Sequence, residues 1–233
     1  MRSYENGKDY WIKFWNHNPT LDNKDLQKQI GRTINKVQIN PALWELTVAE
    51  IIKIIKLSPD DELIDICSGN GLLSVPFAQI CKHVTAIDIS KKLLARIDTT
   101  INTNITKIEN DVRTIQFEND SFSKAVLYFA LQHFTERETI LLFKSVYNWL
   151  KPEGLFYVGD ILDIDKMFIF YRTPEWQIDY FDSILTQTSI GTWFNKAFLE
   201  KLASYIGFKK CEIIEQPSFQ INSHYRFDVL LQK

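Results

Sequence analysis

The chain has 233 residues, of which 45% are hydrophobic and 13% aromatic, enough for one large buried core. Lys and Arg total 27 against 29 Asp and Glu, a net charge of −2, so the basic excess of a nucleic-acid footprint is missing. The three cysteines, Cys67, Cys81 and Cys211, are widely spaced and form neither a disulfide framework nor a CxxC metal site.

That cysteine usage points to a reducing compartment. The N-terminal "MRSYENGKDYWIKFW" has no signal-peptide apolar run, and no stretch approaches a membrane span. The expectation is a soluble cytoplasmic protein with no membrane partner. No His/Cys/carboxylate cluster stands at ligand spacing, so no metal is expected.

Residues 1–23 are aromatic and polar, with Tyr4, Tyr10, Trp11, Phe14 and Trp15 and no clear period. Residues 24–37 read as a short helix. Pro41 suits a helix start, followed by an amphipathic stripe of Leu43, Trp44, Val48, Ile51, Ile52 and Ile55. "SPDDE" at 58–62 is a turn. Strands and helices then alternate: strand 63–67, helix 71–81, strand 84–88, a helix capped by Ser90 and carrying Leu93, Leu94, Ile97 and Ile101, strand 105–109, strand 124–129, helix 136–149, a "KPEG" turn and strand 155–159. This rhythm predicts a parallel sheet with helices on both faces. Residues 161–193 read as an irregular, aromatic insertion. A helix over 195–206 ends at Gly207, and 209–216 and 225–232 read as two closing strands. The organisation expected is an N-terminal extension or lid over 1–40 and one α/β domain over 41–233.

"LIDICSGNGLL", residues 63–73, places an acid inside an apolar strand just before two glycines. A bare carboxylate there is costly unless it is hydrogen-bonded. Asp65 is expected to accept backbone N–H groups from the following turn. Gly69 and Gly71 let that turn bend sharply and approach a ligand. Asp88 ends the second strand, where an acid commonly binds ribose hydroxyls. Asp111, in "ENDVR" after the third strand, is placed for an adenine edge. Three acids at successive strand ends suit an adenosine-bearing ligand without phosphates. A dinucleotide site would place a third glycine at position 74, which is Ser74, and the phosphate-binding GxxxxGK[ST] is absent.

These segments resemble the class I S-adenosylmethionine-dependent methyltransferases over roughly residues 45–233. "LIDICSGNG" is similar to the family's first motif, whose usual form has glycine where Cys67 stands. "VTAIDIS", "ENDV" and "VLYFALQHF" resemble its next three. "LKPEGLFYV" and "NKAFLEKLASYIGFKK" resemble later landmarks, and "QIGRTIN" at 29–35 resembles a segment before the core in some bacterial members. The resemblance implies a doubly wound, seven-stranded, mostly parallel Rossmann-like sheet whose last strand is antiparallel, with a helical N-terminal extension. It implies S-adenosyl-L-methionine as cofactor, held by Asp65, Cys67, Ser68, Gly69, Asn70, Gly71, Asp88, Ile89, Asp111, Val112, Phe129 and Ala130. The activity implied is methyl transfer to an O or N atom of a small-molecule acceptor.

His133, in the loop after the fourth strand, and Asp160, at the end of the fifth, are the candidate catalytic groups. Tyr10, Trp11 and Trp15 are read as a lid. Tyr171, Arg172 and Trp176, in an insertion long enough to be a binding loop, are candidate acceptor contacts. Two other readings compete. A short-chain-type NAD(P) reductase needs a helical Tyr-x-x-x-Lys. Tyr147 and Lys151 have that spacing but follow the fourth strand, and Gly207 interrupts Tyr205 and Lys209. A non-catalytic S-adenosylmethionine-binding protein is the other. "FALQHF" lacks the Asn/Asp-Pro-Pro-aromatic motif of amino-methylating DNA enzymes, so no nucleic-acid partner is expected.

Overall fold

The computed structural model describes residues 11, 13–18, 24–34, 37–185 and 191–233. Its frame is a seven-stranded sheet of β1 (Glu62–Ile66), β2 (His83–Asp88), β3 (Ile105–Glu109), β4 (Phe122–Tyr128), β5 (Leu150–Leu162), β6 (Lys210–Glu215) and β7 (Arg226–Gln232), in the order β3-β2-β1-β4-β5-β7-β6. β1 to β5 pair in parallel, and β7 runs antiparallel to both β5 and β6. Strand order reverses between β1 and β4, the place where open α/β sheets form a ligand crevice.

Side-chain alternation along the strands builds two cores. Leu63, Val126 and Tyr157 point to one face, under α2 (Pro41–Ile54), α3 (Ser74–Ala78) and α4 (Lys91–Leu94). Ile64, Leu127 and Phe156 point to the other, under α5 (Glu136–Trp149) and α8 (Lys196–Ile206). Because β1 and β4 are covered on both faces, they read as continuous apolar runs. Asn40 caps α2 and Pro41 opens it. Thr135 and Glu138 make a reciprocal capping box on α5. Gly207, at φ 109°, ends α8.

Several elements differ from expectation. The helix expected over 24–37 is one turn, α1 (Leu26–Gln29), stopped by Gly31 at φ 74° and followed by a short antiparallel pairing of Thr33–Ile34 with Val37–Gln38. The helices after β1 and β2 are short, and Ile101 is exposed rather than part of a buried stripe. The "KPEG" turn is a bulge inside β5: Phe122 pairs with Leu150 and Lys124 with Leu155, so residues 151–154 leave the ladder. β5 also runs on to Leu162, its end paired with Phe227 and Arg226. The stretch read as irregular forms α6 (Met167–Phe170) and α7 (Pro174–Leu185). α7 buries none of its residues, which is why no apolar stripe betrays it.

Candidate active site

Asp65 is 2% exposed, and its Oδ2 accepts a 2.5 Å hydrogen bond from the Ser74 hydroxyl. The carboxylate is therefore held by the residue that stands in place of a third glycine, not by the backbone of the turn as expected. Burial pushes it up to about 7 against the Ser74 bond. The loop's backbone is gripped from the next strand instead. Asp88 Oδ2 accepts from the Gly69 N–H at 2.9 Å and Oδ1 from the Ser90 N–H at 2.8 Å. Burial nevertheless pushes Asp88 up to about 6.

The loop itself takes three left-handed steps, with φ 58° at Cys67, 56° at Gly69 and 83° at Gly71. A Cβ at Gly71 would lie 2.6 Å from Ile97 Cγ1, so that glycine is required for packing as well as for bending. Cys67 holds a backbone conformation that glycine adopts more easily. Burial, with Asp88 and Asp111 nearby, pushes its thiol well up, so it is an inert wall residue.

A cavity with about 980 Å³ of non-atom space, counting the volume open to solvent, lies over the carboxyl ends of β1, β2, β3 and β4. Every expected cofactor position lines it except Asn70 and Gly71. Asn70 is buried and turned outward, its Nδ2 donating to Leu26 O at 2.7 Å and Gln29 Oε1 at 3.0 Å. Ser68 Oγ and His133 Nδ1 are buried with no hydrogen-bond partner among the described residues.

Arg113 is a wall residue that the sequence reading missed. Its Nε and Nη2 grip the two oxygens of Asp111 at 2.9 and 3.0 Å, and its Nη1 donates to Glu138 Oε1 at 2.8 Å. The other oxygen of Glu138 accepts from Thr135 N–H and hydroxyl. The Thr-x-x-Glu spacing was a visible signal for that cap.

Trp11 and Trp15 line the cavity, as does Ile30. The Ser90 hydroxyl lies 3.2 Å from Trp15 O and 3.0 Å from Asn16 Oδ1, tying this stretch to the end of β2. Tyr4 and Tyr10 lie outside the described residues.

A family model described as a methyltransferase domain matches residues 63–154, which span β1 to β5 and all three strand-end acids. That match covers the part of the chain that carries the glycine loop and the strand-end acids, and the solved structures the chain resembles include S-adenosylmethionine-dependent methyltransferases. It is 30% identical to a putative methyltransferase, YqeM, of Bacillus subtilis over 112 residues, 46% of this chain and 45% of that protein. It is 33% identical to an rRNA adenine N-6-methyltransferase of Clostridium perfringens over 84 residues, 35% of this chain and 34% of that protein. The chain spans about half or less of the length of the curated relatives it matches first. Its fold is that of magnesium protoporphyrin IX methyltransferase from Synechocystis PCC 6803, with a TM-score of 0.66 at 14% identity over 97% of both chains.

The turn after β4 also contributes to the cavity wall. Phe129 takes φ 58° there and lines the cavity with Ala130 and His133. The His133 ring packs on Trp11 with centroids 4.0 Å apart and faces Trp15 at 6.2 Å. Burial, with Arg226 nearby, pushes His133 down to about 3. Asp160 is not at the cavity wall. Its side chain is fully buried, Oδ2 accepts from Arg32 and Arg226 and Oδ1 from Gln216, so it is a counter-ion and not an exposed base. Tyr171, Arg172 and Trp176 also stand away from the cavity. Tyr171 packs on Tyr180 and Trp193, and Arg172 lies over the Trp176 ring.

Among the described residues no group of three or more His, Cys, Asp or Glu side chains is placed to hold a metal ion. Among them, too, no helix is long and apolar enough to cross a membrane.

Proposed function

We propose that this chain transfers a methyl group from S-adenosylmethionine to an O or N atom of a small-molecule acceptor. The observation that carries the reading is the cavity at the β1/β4 switch point, lined by acids from three successive strands and by the rings of Trp15, Trp44, Tyr128 and Phe129. The residues present fit the cofactor. The acids suit ribose and adenine donors, the orphaned Ser68 hydroxyl is a ready polar contact, and aromatic faces suit a sulfonium cation. Asp88 would hold the ribose, Asp111 the adenine end, and the Phe129–Ala130 turn the methionine end. The cofactor supplies an already activated methyl group. The protein's part is to orient the acceptor and exclude water.

A small acceptor is favoured by the aromatic-walled cavity and by the absence of a basic excess in the sequence. Tyr147 does not support the reductase reading: it packs on Phe208 under Lys233, outside the cavity lining.

Calorimetry with S-adenosylhomocysteine and with NADPH tests the cofactor assignment. Binding of the first and none of the second is expected, and the reverse result overturns it. Incubating the protein with methyl-labelled cofactor and a cell extract then tests the acceptor class. Label in the small-molecule fraction is expected, and label confined to RNA or protein overturns that part.

A further inference from the structure

The segment "LQKQIGR", residues 26–32, buries three polar side chains around Ile30, the one residue of the segment that lines the cavity: Gln27 at 4%, Gln29 at 0% and Arg32 at 1% exposure. Buried polar groups are costly unless they are bonded, and these bonds run to different parts of the fold. Gln27 Oε1 accepts from the Ile39 N–H, and Gln29 Oε1 from Asn70 of the glycine loop. Arg32 reaches furthest. Its Nη1 donates to Asp160 at the end of β5, and its Nη2 to the Tyr128 hydroxyl at the end of β4 at 3.1 Å. The guanidinium lies over the rings of Trp44, Tyr128 and Phe129, at 5.5, 5.1 and 5.0 Å from their centroids. All three rings line the cavity. Between these anchors Ile30 lines the cavity, and its Cγ2 lies 3.2 Å from where a Gly69 Cβ would stand.

We infer that Arg32 is a positioning residue that fixes residues 26–32 as a permanent wall of the cofactor cavity and sets the Tyr128 and Phe129 rings. The inference rests on the proposed S-adenosylmethionine site. A lid that opens and closes turns polar groups to water; this segment inserts its polar groups into the core and, apart from the Arg32 Nε, bonds them there. Asp160 acts here as the anchor of Arg32, and Arg226 shares its Oδ2 at 3.3 Å. Lysine cannot replace the planar fork, because one ammonium does not span a carboxylate and a phenol while lying across three rings. The "QIGR" stretch thereby acquires a function: Gln29 holds the glycine loop, Ile30 covers it, Gly31 turns the chain, and Arg32 locks it to β4 and β5.

The test compares the parent, Arg32→Lys, Arg32→Met, Arg32→Met with Asp160→Asn, and Gln29→Ala. The readouts are S-adenosylhomocysteine affinity and dissociation rate, thermal midpoint, and amide hydrogen exchange. Arg32→Lys is expected to bind at least about tenfold more weakly, mainly through faster dissociation, the size of effect that loss of a charged hydrogen bond gives. Exchange protection should fall over residues 26–32 and persist in β1 to β5. A folded Arg32 variant with affinity within about twofold of the parent overturns the inference. Asp160 keeps Arg226 when Arg32 is lost, so adding Asp160→Asn to Arg32→Met should restore neither the thermal midpoint nor the affinity. Recovery of both would show that Arg32 only neutralises Asp160, and would overturn the wall role. If Arg32→Met does not fold, Gln29→Ala cuts the tie to Asn70 without stranding a charge. Faster ligand dissociation is then expected, and an unchanged rate overturns the inference. A parent that binds no S-adenosylhomocysteine, with exchange over 26–32 still dependent on Arg32, would sink the cofactor site and leave the anchoring intact.

Discussion

The His133 imidazole packs against the Trp11 indole with ring centroids 4.0 Å apart, and its Nδ1 is buried without a hydrogen-bond partner among the described residues. The contact takes the ring out of water, and burial holds it near a pKa of about 3. That lowered basicity disfavours the imidazole as a base in the free protein. His133 therefore fits a neutral hydrogen-bonding wall of the cavity in the free protein.

The pH consequence follows from the direction of the shift. The folded pKa lies below the unfolded value, so the unfolded chain binds more protons between about pH 3 and 6.5. Stability from this group is present above about pH 6.5 and is lost as pH falls. Histidine NMR should show no His133 titration between about pH 5 and 8, and His133→Gln should weaken the acid dependence of stability. A His133 midpoint near 6.5 would show that the Trp11 contact does not hold in solution.

Arg113 and Asp111 make a second prediction. Arg113→Ala leaves a buried carboxylate without its counter-ion, which should cost about 1–3 kcal/mol of stability and weaken S-adenosylhomocysteine binding. Glu138→Gln is milder, because glutamine also completes a capping box on Thr135. Denaturation and calorimetry on both variants check this order. An Arg113→Ala protein with parental stability and affinity would remove the clamp from the site.

The parts of this site that were legible in sequence are those whose physics is local. Asp65 and Asp88 stand out because an acid at the end of an apolar strand needs a reason, and Gly69 and Gly71 because a turn follows at once. β1, β2, β4 and β5 were readable as largely buried runs, unlike the edge strand β3. What lies across long separations was not readable. Arg32 and Asp160 are 128 residues apart, so nothing near either residue shows that the acid is spoken for. Thr135 and Glu138 show a cap, but the second bond of Glu138, to Arg113, exists only once β3 and α5 pack. α7 escaped notice because it buries no face.

Asp88 makes a third prediction. Its folded pKa of about 6 lies above the unfolded value, so its contribution to stability is full below about pH 4 and is lost as pH rises through 6. Ligand binding runs the other way, because accepting two ribose hydroxyls favours the ionised carboxylate. S-adenosylhomocysteine affinity should rise with pH through about 6, with proton release on binding below it. Calorimetry in buffers of different ionisation enthalpy measures that release directly. Asp88→Ala should lose roughly 1.5–3 kcal/mol of binding and weaken the pH dependence near 6. Unchanged affinity in that variant removes Asp88 from the ribose role.

The aromatic insertion supplies the last prediction. Trp176 is 44% exposed, and neither it nor Tyr171 reaches the cavity wall. Tyr171 belongs to a cluster with Phe170, Tyr180 and Trp193, and Phe170 and Trp193 in turn pack on Tyr225 beside Arg226. Truncating Tyr171 removes edge and tilted ring contacts worth about 0.5–1.5 kcal/mol each, a modest cost on a surface layer. Trp176→Ala removes exposed apolar area and should cost less. Both variants are expected to keep S-adenosylhomocysteine affinity within about twofold of the parent, since no cofactor-facing atom moves. If the insertion closes over the acceptor during turnover, both should raise the acceptor's KM while leaving cofactor affinity alone. A folded Tyr171→Ala protein that lost cofactor binding would place α6 and α7 against the cofactor instead. Normal KM values in both variants would leave these helices outside the reaction altogether.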